Sequence, residues 1–237
     1  MSAAGYLDIT GRKATVSLTA LLKSKELPRH IAIEGPIGVG KTTLARKLGA
    51  SFNYQTLLED AAENPFLDRF YRNRREAALA TQLFFLFQRA QQIRDMRQGE
   101  LFEPVRVADF LMEKDQLFAT INLDPDELKL YHKVYQQLTI ELTPPDLVIY
   151  LQAPVDVLLS RIQRRGHDSE KLIDKAYLEE LNNAYSQFFL FYDAAPLLIV
   201  NATDIDLANN DRHYCELVEY LLQIKGGRHY FNPSFFH

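Results

Sequence analysis

Nine consecutive residues, Gly35, Pro36, Ile37, Gly38, Val39, Gly40, Lys41, Thr42 and Thr43, have the types and spacing of a phosphate cradle. In the pattern Gly, four residues, Gly-Lys-Thr, the glycines let the backbone turn tightly and aim successive N–H groups at an anion. A lysine at position 41 reaches the β/γ-phosphates of a nucleotide, and a hydroxyl at position 42 suits a magnesium ion. A helix starting here adds its N-terminal dipole to the same point. The flanks fit. Ile31-Ala32-Ile33-Glu34 is a short strand-like run, and Leu44, Ala45 and Leu48 recur at helical spacing.

Three further groups have chemistry in their spacing. Glu59 closes the second expected strand, and Asp109 closes the third. Arg161 and Arg165 lie four apart, hence on one helix face, just before Gly166. Such a pair suits a lid that closes over phosphates. Each has a plainer reading on its own: an acid at a helix N-terminus, a loop cap, a solvated basic face. The six histidines are scattered with no i, i+4 pair, and Cys215 is the lone cysteine. This argues against a histidine or cysteine metal centre and against a disulfide framework.

The elements that must position these groups alternate. Strands are expected at His30–Glu34, Tyr54–Leu58, Pro104–Asp109, Leu147–Leu151 and Leu197–Val200. Helices are expected at Lys41–Ala50, Pro65–Tyr71, Arg74–Gln98, Leu111–Ala119, Asp126–Leu142, Pro154–Arg165, Lys171–Asp193 and Ala208–Leu222. This predicts an α/β fold: a five-stranded parallel sheet with helices on both faces, plus a small helical lid. Ligands of such sheets bind at the carboxyl ends of the strands, where Lys41, Glu59 and Asp109 fall. Residues 1–28 read as an N-terminal extension, 29–225 as one domain, and 226–237 as an aromatic tail released by Gly226-Gly227.

The chain has 237 residues, 47% of them hydrophobic, enough for one large core. A net charge of -4 and a pI near 5.9 argue against a general nucleic-acid binder. A run of 18 apolar residues is missing, as is a basic–apolar leader, so a soluble, cytoplasmic protein away from membranes is expected. Leu83-Phe84-Phe85-Leu86-Phe87 is apolar all round its helix, which predicts burial on more than one face, part of it against a second subunit.

Several motifs in order carry a resemblance to the deoxynucleoside kinase family, in its bacterial branch, from about His30 to about Leu222. They are Ile33 through Thr43; Glu59-Asp-Ala-Ala-Glu-Asn-Pro-Phe-Leu-Asp-Arg-Phe-Tyr71; Gln82 with Arg89 seven residues on; and Arg161-x-x-x-Arg165-Gly followed by Glu170. The resemblance implies ATP and Mg²⁺, a deoxynucleoside acceptor and a homodimer built partly from Asp126–Leu142. It implies Glu59 as general base toward the 5′-hydroxyl. Tyr71 and Glu170 match positions that hold the 3′-hydroxyl. Gln82 matches the residue on the base edge, with Arg89 near it, and Phe118 matches a wall of the base pocket. Arg161 and Arg165 match arginines that stabilise the moving phosphoryl.

The chain departs from the family pattern twice. Val107-Ala108-Asp109-Phe110 lacks the arginine the family often carries there, which leaves Asp109 as either a magnesium ligand or a wall of the substrate site. His167 stands where a later lid arginine is usual. The implied activity is ATP-dependent phosphorylation of the 5′-hydroxyl of a deoxyribonucleoside, with a mild purine preference. A nucleoside monophosphate kinase or a non-catalytic nucleotide-binding module are the alternatives. The first would want an arginine at the acceptor, where this chain has Glu59. The order Lys114-Asp115 does not reveal which side chain points inward.

Overall fold

The computed structural model describes residues 27–99, 105–138, 144–167, 169–205 and 210–232. Nearly all of the expected N-terminal extension lies outside these residues. The described chain runs β1 (His30–Glu34), α1 (Lys41–Phe52), β2 (Gln55–Leu57), a 3₁₀ turn, α2 (Leu67–Arg72), α3 (Arg74–Gly99), β3 (Arg106–Ala108), α4 (Glu113–Asn122) and α5 (Pro125–Leu138). It continues through β4 (Leu147–Gln152), α6 (Val155–Arg165), a second 3₁₀ turn, α7 (Lys175–Phe191), β5 (Leu197–Asn201), α8 (Asp211–Leu221) and β6 (Arg228–Phe231).

The strands form one parallel sheet in the order β2-β3-β1-β4-β5-β6. β1 and β4 lie inside the sheet with helices over both faces, so their residues need no alternation. Ile31, Ala32 and Ile33 are fully buried, as are Val148, Ile149 and Leu151. The chain builds outward from β1 to β2 and β3, then crosses to β4 on the other side. This reversal opens a crevice at the carboxyl edge of β1, β3 and β4.

The sheet has six strands rather than the expected five. Gly227 adopts φ 76 and its carbonyl accepts from the Leu197 N–H at 2.9 Å, so the glycine pair turns the chain onto the sheet instead of releasing it. Phe231 is buried, and its ring packs 5.6 Å from Tyr220 of α8. The described part of the expected aromatic tail is therefore strand.

The apolar centre of α3 divides. Leu86 is fully buried, whereas Phe87 is 51% exposed. Leu130 on the neighbouring α5 is 49% exposed. Among the described residues, no helix is long and apolar enough to cross a membrane.

Candidate active site

The phosphate loop leaves β1 at Gly35 and enters α1 through Gly40. At Gly38 (φ 82), a side chain would set its Cβ 2.7 Å from Ile162 Cγ1 and 3.0 Å from the Leu158 carbonyl, so the loop packs against α6 only because position 38 carries none. Lys41 Nζ donates to the Gly35 and Pro36 carbonyls at 2.8 and 3.3 Å, curled back over its own loop. Burial pulls its ammonium down to about 8; the Lys114 charge adds to the fall, and the carboxylates of Glu34, Glu59 and Asp109 oppose it.

The Thr42 hydroxyl donates to Asp109 Oδ2 at 2.6 Å, and the Glu59 N–H donates to Asp109 Oδ1 at 2.8 Å. Asp109 thus ties the first turn of α1 to the segments that follow β2 and β3. Behind it, buried Glu34 accepts from the Leu111 N–H at 2.8 Å, the Gly35 N–H at 3.0 Å and the Tyr185 hydroxyl at 2.9 Å. This brace fixes the start of the phosphate loop against the segment that follows Asp109.

Glu59 sits in a buried ionic network. Its two carboxylate oxygens take Arg89 and Lys114, and the other arm of Arg89 takes Asp115. The Arg89 guanidinium lies between the rings of Phe85 and Phe110, 5.4 and 5.5 Å from their centroids. That sandwich aims the flat fork so that each end meets its own carboxylate. Burial alone would push the Glu59 carboxyl up, but Arg89 and Lys114 outweigh it and hold the group at about 2. Burial wins at Asp115, whose carboxyl is raised despite Arg89. Such a network costs desolvation and is poor evidence of stability; its value is to fix Glu59 in place.

A cavity of about 160 Å³ opens beside this network. Gln82, Arg89 and Phe118 line it together with Tyr71, Glu170 and Lys41. Gln82 and Arg89 are two turns apart on α3, hence on one face, and both are buried. Lys114 and Asp115 both point inward: they are 7% and 1% exposed. Arg165 closes one side of the cavity and pairs with Glu170, Nε to Oε2 at 3.0 Å.

A second cleft of about 660 Å³ lies on the other side of the loop, between Gly38–Gly40, α6 and the segment after β5. Arg165 borders this cleft too, so it stands between the two spaces. Arg161 borders the cleft only. It donates to the Ala202 carbonyl at 2.7 Å and the Thr203 carbonyl at 3.2 Å, and bolts that segment to α6. Thr43 borders the cleft as well.

The sequence alone does not give the direction of the Lys114 side chain. A cation in the first turn of a helix is disfavoured by the dipole, which points to an outward side chain. The opposite signal was present: Lys114 and Phe118 are four apart, so a pocket containing one faces the other. Glu34 reads in the sequence only as the last residue of a short strand.

A family model described as deoxynucleoside kinase matches residues 31–224. The deoxyguanosine kinase of Bacillus subtilis (strain 168) is 40% identical to this chain over 182 residues, 74% of the chain and 86% of that protein. The deoxyadenosine kinase of Dictyostelium discoideum is 36% identical over 167 residues, 67% of the chain and 66% of that protein. Among solved structures, deoxyadenosine kinase from M. mycoides with bound dATP is similar with a TM-score of 0.70 at 28% identity, covering 82% of this chain and 99% of that one.

Proposed function

The chain belongs to the deoxynucleoside kinase family and is a kinase that phosphorylates deoxynucleosides for salvage, and on that footing we propose what each site residue contributes. The family implies ATP as phosphate donor. The observation that carries the assignment of roles is the pairing of charge in the smaller cavity. Arg89, Lys114 and Arg165 are each matched to a carboxylate there. A space so balanced suits a neutral acceptor, a nucleoside alcohol, because Arg89, Lys114 and Arg165 offer the phosphate of a nucleoside monophosphate no uncompensated charge.

In this reading the deoxynucleoside occupies the smaller cavity and the donor occupies the cleft. Glu59 accepts the proton of the 5′-hydroxyl. Its low basicity is compatible with a loose phosphoryl transition state, in which positioning and charge stabilisation supply most of the acceleration. Tyr71 and Glu170 hold the 3′-hydroxyl, Gln82 pairs with the base edge beside Arg89, and Phe118 walls the ring. Lys41 turns from the loop carbonyls to the donor phosphates, Arg165 joins it from the lid, and Arg161 keeps the cleft wall in place.

Thr42 and Asp109 would hold Mg²⁺. The oxygen donor set and the 2.6 Å contact between the two side chains fit a hard cation that takes few protein ligands. When bound, the ion offsets charge on the transferred phosphoryl. A purine acceptor is favoured, because similar proteins are named deoxyguanosine and deoxyadenosine kinases. The catalytic unit is taken to begin near residue 29 and to include β6, with residues 1–28 as an extension.

The test is ADP release with a panel of deoxynucleosides and their monophosphates. Turnover should appear with deoxynucleosides, purines ahead. Turnover on monophosphates alone would support a monophosphate kinase, and tight ATP binding without turnover would support a regulatory module. We further infer a homodimer through Phe87 of α3 and Leu130 of α5, a four-helix interface. Sedimentation as a monomer at micromolar protein would remove it. A cytoplasmic location, without nucleic-acid or membrane partners, completes the reading, and cell fractionation with nuclease treatment tests it.

A further inference from the structure

Lys114 is a buried cation on the first turn of α4, where the helix dipole opposes it, and Arg89 already engages the same carboxylate from the other side. A structural salt bridge to Glu59 would not need both. Lys114 also borders the cavity that holds Gln82 and Tyr71, and its ammonium lies 5.4 Å from the centre of the Phe118 ring, on the acceptor wall. An ammonium has three N–H donors in a rotatable head, and among the described residues Glu59 is its hydrogen-bond acceptor. The head therefore faces the space where an acceptor oxygen must come to meet Glu59.

We propose that Lys114 is a catalytic residue: it donates an N–H to the 5′-oxygen of the deoxynucleoside and holds that oxygen with its proton turned toward Glu59. This rests on the reading of Glu59 as proton acceptor. In the step, the 5′-oxygen forms a bond to the γ-phosphorus of ATP while the bond from that phosphorus to the bridging oxygen breaks. The pair from the broken bond leaves with ADP. The hydroxyl proton passes to Glu59 and then to solvent. Lys114 keeps its protons throughout. Its charge steadies the oxygen as the O–H bond opens, and its grip selects one rotamer about the C5′ bond, which the proximity argument requires.

The role predicts a split that a merely structural lysine does not produce. Lys114→Met should slow single-turnover phosphoryl transfer by roughly 10²-fold, the scale of deleting one preorganised donor, with the ATP KM unchanged. Lys114→Arg should recover most of the loss. A second readout avoids turnover. Wild-type protein should bind a deoxynucleoside about tenfold or more tightly than its 5′-deoxy analogue, which lacks the oxygen. Lys114→Met should narrow that gap by weakening the deoxynucleoside alone.

Equal loss of both ligands would mean that Lys114 only shapes the pocket, and the proposal fails. It also fails if Lys114→Met transfers phosphoryl within threefold of wild type while Glu59→Gln does not; the reading of Glu59 then survives. If neither variant slows transfer, that reading fails as well. Should Lys114→Met not fold, equal wild-type affinity for the two ligands still overturns the proposal.

Discussion

Thr42 and Asp109, 67 residues apart in the chain, are joined side chain to side chain at 2.6 Å, which links the first turn of α1 to the segment after β3. The same carboxylate accepts the Glu59 N–H at 2.8 Å, so one aspartate sets the spacing between the phosphate loop and the carboxylate assigned to the acceptor. Two roles compete for such a group, and they separate by experiment. Glu59→Gln keeps size and hydrogen bonding but removes the basic oxygen, and should cost turnover about 10²–10⁴-fold with little change in nucleoside binding. Asp109→Asn should lose activity that raised magnesium restores. Single-turnover rates at saturating and limiting magnesium decide. Abolished transfer in Asp109→Asn with transfer kept in Glu59→Gln would reverse the assignment.

Lys41→Ala should lower turnover by roughly 10²-fold or more. The fold should survive, because among the described residues the ammonium's hydrogen bonds go to carbonyls of its own loop, at 2.8 and 3.3 Å. Steady-state kinetics with a thermal melt checks both halves. Half the wild-type turnover would contradict the phosphate-loop reading.

Gln82→Ala should weaken nucleoside binding and blur the ranking among bases, with ATP affinity near wild type. The side chain can donate and accept, is 3% exposed and borders the acceptor cavity. Titration calorimetry with four deoxynucleosides measures it. An unchanged ranking at unchanged affinity would make Gln82 a core residue.

His30 predicts a pH dependence of stability far from the site. Burial, then the Arg106 charge, pulls its imidazole from 6.5 to about 4, against a smaller upward pull from Asp146. Below pH 6.5 the unfolded chain takes up a proton that the folded state refuses until about pH 4. Stability from this group is therefore full above 6.5 and falls as pH drops through that window, by an amount on the order of 3 kcal/mol. Urea midpoints at pH 7, 5.5 and 4.5 should fall more steeply for wild type than for His30→Asn. Parallel curves would sink the idea.

Much of the molecule was readable from the chain because its signals are local. Ile31–Glu34 and the glycine spacing identify the strand and loop without outside information. The seven-residue interval from Gln82 to Arg89 places both on one helical face, and the structure buries both. The losses occur where a long-range partner decides. Gly226-Gly227 reads as a release point until β5 is there to pair with β6. Arg161 is legible as a basic residue on a helix face, but its 2.7 Å bond to the Ala202 carbonyl, 41 residues on, is not. Lys114 has no assigned direction until Glu59, 55 residues earlier, supplies the opposite charge.

The pairing of Arg165 with Glu170 has a thermodynamic consequence. Arg165 is the one side chain among those with assigned roles that borders both the donor cleft and the acceptor cavity. If donor phosphates draw it away, Glu170 is left with an unsatisfied carboxylate facing the sugar. Occupancy of one site then raises affinity at the other, and reciprocity makes the effect equal in both directions. The two substrates would bind with positive cooperativity, and an alanine at position 165 would uncouple them.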